Sequence, residues 1–175
     1  MNTLAIHLIW TTYGTWLPGD RRGHWSPLFD VYGHIRERGG KLNPGDTTTR
    51  EVTAERMKEP AKRLSVVEEL LVGESIAETC RGVLEPLAVA IEPTHIHLLI
   101  RGTVVPVGEA AGRLKSNSGS RLLRLPGNLG RERVWTTGYW KVFLFDEAAV
   151  SAVCSYIERH NTDRGLPAKR FAWVT

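Results

Sequence analysis

His95 and His97 stand two residues apart in an apolar run, and Tyr156 and His160 stand four apart roughly sixty residues later. Residues two apart in a strand point to the same face, so both imidazoles are presented together while Ile96 faces away. Residues four apart on a helix are neighbours, which puts Tyr156 beside His160. Two imidazoles from a strand and one from a helix make a donor set that divalent first-row ions accept. A tyrosine hydroxyl next to that set is a nucleophile for phosphodiester chemistry on a nucleic acid. Each residue alone has a plainer reading: histidines on a polar sheet face, a tyrosine closing a core edge, a histidine favoured by a helix dipole. Together they point to a site.

The elements that must position these residues are legible around them. Residues 4–12, rich in β-branched and aromatic side chains, predict an opening strand. From Tyr13 to Trp25, Gly, Pro and Asp break all periodicity, and Trp16 and Trp25 predict an ordered loop. Residues 33–63 are polar and charge-rich, an expected insertion or arm with a short helix at 53–59. Ser65 and Glu68 match a capping box, and a helical apolar pattern follows over 65–84, with Gly73 expected to dent it. Short strands are expected at 87–91 and 95–101, with a turn at Glu92-Pro93-Thr94 between them. A third helix should follow Pro106, although Gly108, Gly112 and the run Ser116–Ser120 weaken it. Residues 138–145 predict a last strand, and Asp146 caps a helix to about Asn161. In that helix Val150, Val153, Cys154 and Ile157 form the apolar stripe, with Tyr156 and His160 on its flank.

This order is a ferredoxin-like split βαβ pattern of the α+β class: an antiparallel sheet with helices on one face, plus a C-terminal helix bearing the tyrosine. A chain of 175 residues fits one domain, 1–175, with the arm inside it. With 42% hydrophobic residues it is too apolar for a disordered tail. No apolar stretch approaches the roughly 18 residues of a membrane span, and no secretory signal begins the chain. Cys80 and Cys154 fall on apolar helix faces and read as core thiols, so a cytoplasmic protein is expected. Net charge is +4. Between Arg113 and Arg133 six basic residues (Arg113, Lys115, Arg121, Arg124, Arg131, Arg133) face one acid, Glu132. Such a run suits phosphates, or is a solvated basic surface.

The run from Ala88 through Glu92-Pro93-Thr94-His95-Ile96-His97 to Ile100 resembles the metal-binding hairpin of the HUH single-tyrosine transposases of the insertion-sequence type. The chain especially resembles the REP-associated tyrosine transposases. Val134-Trp135 through Tyr139, Phe145-Asp146-Glu147 and Ser155–Asn161 are similar to that family's closing strand and tyrosine helix. Thr12-Tyr13-Gly14-Thr15-Trp16-Leu17-Pro18-Gly19-Asp20 resembles a subgroup. The resemblance covers most of the chain and is poorest over 33–63. One departure is His160, where relatives commonly carry Asn or Gln as the third ligand. A three-histidine set remains chemically sensible and shifts preference from Mg²⁺ towards Mn²⁺. Asn161 is an alternative ligand if the helix end unwinds.

The resemblance implies a metal-dependent enzyme that cleaves and rejoins single-stranded DNA near hairpins, with Tyr156 forming a 5′-phosphotyrosine and His95, His97 and His160 holding Mg²⁺ or Mn²⁺. It leaves open a monomer or a homodimer. A phenol ordinarily titrates near about 10, so a cation must help remove its proton. Lys115 is a candidate for that task or for a phosphate contact, and a surface lysine is the plainer reading. Trp16, Trp25, Arg113, Arg121 and Arg124 are candidate nucleic-acid contacts, and Trp16, Trp25, Tyr139 and Trp140 could stack on unpaired bases. Tyr139 is a rival nucleophile, and Trp140 reads more plainly as core or loop packing. Two other functions suit the same residues: a hairpin DNA- or RNA-binding module that does not cut, and a metal-dependent nuclease that activates water.

Overall fold

The computed structural model describes residues 2–21 and 45–174. Two compact units are distinguished, Met1–Tyr13 with Lys62–Thr175, and Gly14–Ala61. The elements in chain order are β1 (Ala5–Thr11), α1 (Thr47–Glu55), α2 (Val66–Cys80), β2 (Pro86–Ile91), β3 (His95–Arg101), α3 (Val107–Leu123), a 3-10 turn (Pro126–Asn128), β4 (Trp140–Leu144) and α4 (Glu147–Thr162).

The larger unit is built on a four-stranded sheet in the order β2-β3-β1-β4, with every neighbouring pair antiparallel. β3 lies between β1 and β2, which α2 connects, and β1 lies between β3 and β4, which α3 connects. That is the expected split βαβ arrangement. Alternation along the strands then gives two cores. Ile6, Leu8 and Trp10 of β1 join Ile96, Leu98 and Ile100 of β3 under α2 and α3, where Val72, Ile76, Leu114 and Leu122 are buried. Ala5 and Leu99 point the other way and join Ala88, Ala90 and Leu144 beneath Val150 and Ile157 of α4. The two crossover helices therefore cover one face of the sheet and α4 covers part of the other.

Local chemistry sets the helix ends. Ser65 accepts from the Glu68 N–H while the Glu68 carboxylate accepts from the Ser65 N–H, the capping box read from the sequence. The Asp146 carboxylate accepts from the Ala149 N–H at 2.7 Å and starts α4. Cys80 is buried, Cys154 half-buried, and both are free thiols. Among the described residues no helix is long and apolar enough to cross a membrane.

Two expectations about helices give way to packing. α3 runs unbroken through its glycines and serines because its small residues Ala110, Ala111, Ser118 and Gly119 are buried. A Cβ at Gly119 would lie 3.2 Å from the Trp135 ring, so the missing side chain lets that indole approach. Gly73 does not dent α2. It makes room for Phe171, whose Cε1 would sit 2.2 Å from an added Cβ.

In the smaller unit α1 starts well before the expected residue 53, because Asp46 caps it by accepting from the Thr48 and Thr49 N–H groups. Gly19 has φ +84, and a Cβ there would meet the Asp46 carbonyl oxygen at 2.4 Å. Of the expected arm at 33–63, residues 33–44 lie outside the described residues, as does Trp25.

Candidate metal centre

β3 delivers His95 and His97 to the α4 side of the sheet, and α4 brings Tyr156 and His160 down over them. One ligand nitrogen from each of His95, His97 and His160 lies within 4.8 Å of the others. The rings of His97 and His160 have centroids 4.5 Å apart, and Tyr156 stands edge-on to His160 at 4.7 Å and to His97 at 5.5 Å. His97 is buried, His95 and His160 are half-buried, and Tyr156 is 42% exposed. The four residues grouped from the sequence are thus together.

Each of the three rings has its Nδ1 engaged. The His95 Nδ1 is 3.0 Å from the Thr94 hydroxyl, and the His97 Nδ1 is 3.0 Å from Nε2 of His7. The His160 Nδ1 donates to the Glu92 carboxylate, which also lies 3.8 Å from His95 Nε2. With the Nδ1 atoms so engaged, the Nε2 atoms are the nitrogens available to a metal, which is how a second layer of hydrogen bonds orients metal-ligating histidines. The donor set therefore fits a divalent ion, with imidazole nitrogen as its common ligand.

The buried rings are held neutral, the form that ligates. Burial, then the neighbouring His95, His7 and His160, pushes His97 down to about 2. Burial, then His160, pushes His7 down to about 4.

His7 and Glu92 are absent from the sequence-based selection. His7 was one polar residue in an apolar strand, and only the β1–β3 register, which pairs it with Leu99 on the α4 face, brings it to His97. Glu92 read as part of a turn. The spacing Glu92-X-X-His95 was the available signal.

The end of α4 is tied to the end of β2. The Asn161 amide donates to the Val89 and Ala168 carbonyls at 3.0 and 2.8 Å. Arg164 donates to the Ile91 carbonyl at 2.8 Å and pairs with Glu69 of α2 at 2.7 Å. Arg170 pairs with the same carboxylate at 2.6 Å, and Glu69 is 1% exposed. These bonds hold His160 against Glu92, the residue after Ile91. They also place the Asn161 amide on backbone carbonyls and away from the histidine donors.

The remaining sequence candidates of the larger unit lie elsewhere. Lys115 is on α3, across the sheet from Tyr156; its ammonium donates to the Thr136 and Gly138 carbonyls, and burial lowers its pKa. Arg113 pairs with Glu109 at 2.5 Å and Arg121 with Glu78. Arg121 and Arg124 line a groove of about 440 Å³ between α2 and α3, on that same side. Tyr139 packs with the α2–α3 core, its hydroxyl 3.5 Å from where a Gly108 Cβ would be. Trp16 is half-buried in the smaller unit.

The family model described as "Transposase IS200 like" matches residues 58–160, which span β2, β3 and the helix residues Tyr156 and His160. No curated protein matches. Among solved structures, a REP-associated tyrosine transposase bound to a REP hairpin is similar over 94% of this chain and 70% of that one, with a TM-score of 0.54 and 11% identity. A transposase candidate from Deinococcus radiodurans is 16% identical over 91% of this chain and 92% of its own, with a TM-score of 0.42.

Proposed function

Since the chain belongs to the IS200-like transposase family, we propose that it is a metal-dependent transposase that cuts and rejoins single-stranded DNA beside hairpins through a tyrosine intermediate. One observation carries this reading: a tyrosine ring 4.7 Å from the ring of a histidine whose donor nitrogen lies within 4.8 Å of two more. His95, His97 and His160 would hold Mg²⁺ or Mn²⁺, and the bound ion would polarise the scissile phosphate and stabilise charge on its oxygens.

In this reading Tyr156 Oη attacks phosphorus as the bond to the 3′ oxygen breaks, leaving a 5′-phosphotyrosine and a free 3′-hydroxyl. A second strand's 3′-hydroxyl then attacks the same phosphorus and returns the phenol, so joining needs no external energy. Thr94, His7 and Glu92 keep the imidazoles in register for both steps. Lys115 has no part in deprotonating the phenol, because it lies on the other side of the sheet. The activity would take place in the cytoplasm, by one chain or a pair.

The test is covalent trapping of hairpin-bearing single-stranded oligonucleotides with Mn²⁺ or Mg²⁺, comparing wild type with Tyr156→Phe on denaturing gels. A metal-dependent adduct mapped to Tyr156 and absent from the variant is the expected result. Cleavage that survives Tyr156→Phe would move the chemistry to an activated water. Hairpin binding with neither adduct nor cleavage would make the protein a binding module.

A further inference from the structure

α4 packs on β2 and β3, which leaves the β1–β4 half of the same sheet face with a different character. Along one row of cross-strand partners the residues are Ala90, His97, Ile9 and Trp140. Directly opposed residues point to one side of a sheet, so Trp140 shares the face of His97. Two strand spacings separate their backbones, about 10 Å. His7 and Val142 pair in the next such row on this face.

Exposure on this side of β4 rises towards the site. Leu144, under the start of α4, is 7% exposed; Val142 is 37% and Trp140 40% exposed. An indole and a valine each exposed over more than a third of their surface are unusual beside a buried histidine pair. The sequence had favoured packing for Trp140, and the placement of α4 over β2 and β3 accounts for the difference.

Resting on the transposase reading above, we propose that Ile9, Val142 and Trp140 floor a binding surface for unpaired bases of single-stranded DNA, with Trp140 stacking on a base next to the phosphate at Tyr156. The surface is continuous with the site where a phosphodiester must lie. It is apolar and aromatic, which suits base faces and not a phosphate backbone, and stacking of this kind is tolerant of sequence. Duplex DNA has its base faces covered, so the surface selects an open strand.

The test uses the full chain carrying Tyr156→Phe, so that binding is read without cleavage. An oligothymidylate carrying 5-iodouracil is bound, its affinity measured by anisotropy, and the complex photo-crosslinked and mapped by peptide mass spectrometry. The expected crosslink is at Trp140. Adding Trp140→Ala should weaken binding by between about five- and a hundredfold, and Trp140→Phe should restore most of it. Unchanged melting temperature and Mn²⁺ affinity in the Trp140→Ala protein would show that fold and metal centre are intact. Equal affinity with and without the indole, or crosslinks only on α3, would overturn the stacking role while an adduct at Tyr156 of the otherwise unaltered protein left the transposase reading standing. Failure of the Tyr156→Phe parent to bind any single strand, with no adduct from wild type, would remove both.

Discussion

Nε2 of His7 lies 3.0 Å from Nδ1 of His97, a buried contact between histidines on adjacent strands. With that nitrogen engaged, His97 is fixed in one ring orientation and keeps Nε2 for a metal. Replacing His7 by Leu should therefore weaken Mn²⁺ binding by about 10–100-fold, measured by calorimetry on the unreacted protein. Strand transfer should recover as Mn²⁺ is raised. Unaltered metal affinity would mean that the contact serves packing alone.

Acidification should destabilise the metal-free protein through the same pair. The unfolded chain protonates His7 below about 6.5, whereas the folded chain keeps it neutral down to about 4. Between those values the unfolded state binds more protons, so stability is intact above the window and falls as pH falls through it. His97, held neutral down to about 2, extends the loss further. The loss from His7 is on the order of 3 kcal/mol. Denaturant titrations between pH 7 and pH 4 read it directly, and His7→Leu should flatten the slope.

The clamp of Arg164 and Arg170 on Glu69 should be costly to break. Glu69→Ala leaves two guanidinium groups facing an emptied buried position, a loss of about 3–5 kcal/mol. Melting followed by circular dichroism would record it. Because the clamp holds the end of α4, metal affinity should fall along with stability, and a variant that melts earlier while binding Mn²⁺ normally would contradict this link.

Gly73→Ala should cost about 1–3 kcal/mol by pushing the Phe171 ring from its seat. Combining it with Phe171→Leu should cost less than the sum of the two single changes, since the shorter side chain leaves space for the methyl group. Strict additivity would show that the two residues do not share the site.

What could be read from the chain was whatever depends on near neighbours in sequence. Ser65 with Glu68, Asp146 before α4, and the alternation His95-Ile96-His97 each act within a turn or a strand, and each stands where it was expected. The missing parts depend on register or on distant partners. His7 meets His97 only because β1 pairs with β3, and Glu92 meets His160 only when α4 returns across the sheet. Trp140 is exposed because the C-terminal helix packs over β2 and β3, a fact about tertiary packing that no local pattern carries. The glycines of α2 and α3 were read by helix propensity, whereas burial against Phe171 and Trp135 decided them.

Strand β3 devotes Ile96, Leu98 and Ile100 to one core and turns His95 and His97 to the other side. Both sets are counted off along seven residues with a period of two. A single inserted or deleted codon within this strand would therefore act as a frameshift in space, swapping ligands for core and core for ligands at one stroke. Variation here is confined to replacements, while gain and loss of residues must be absorbed beyond the strand's ends.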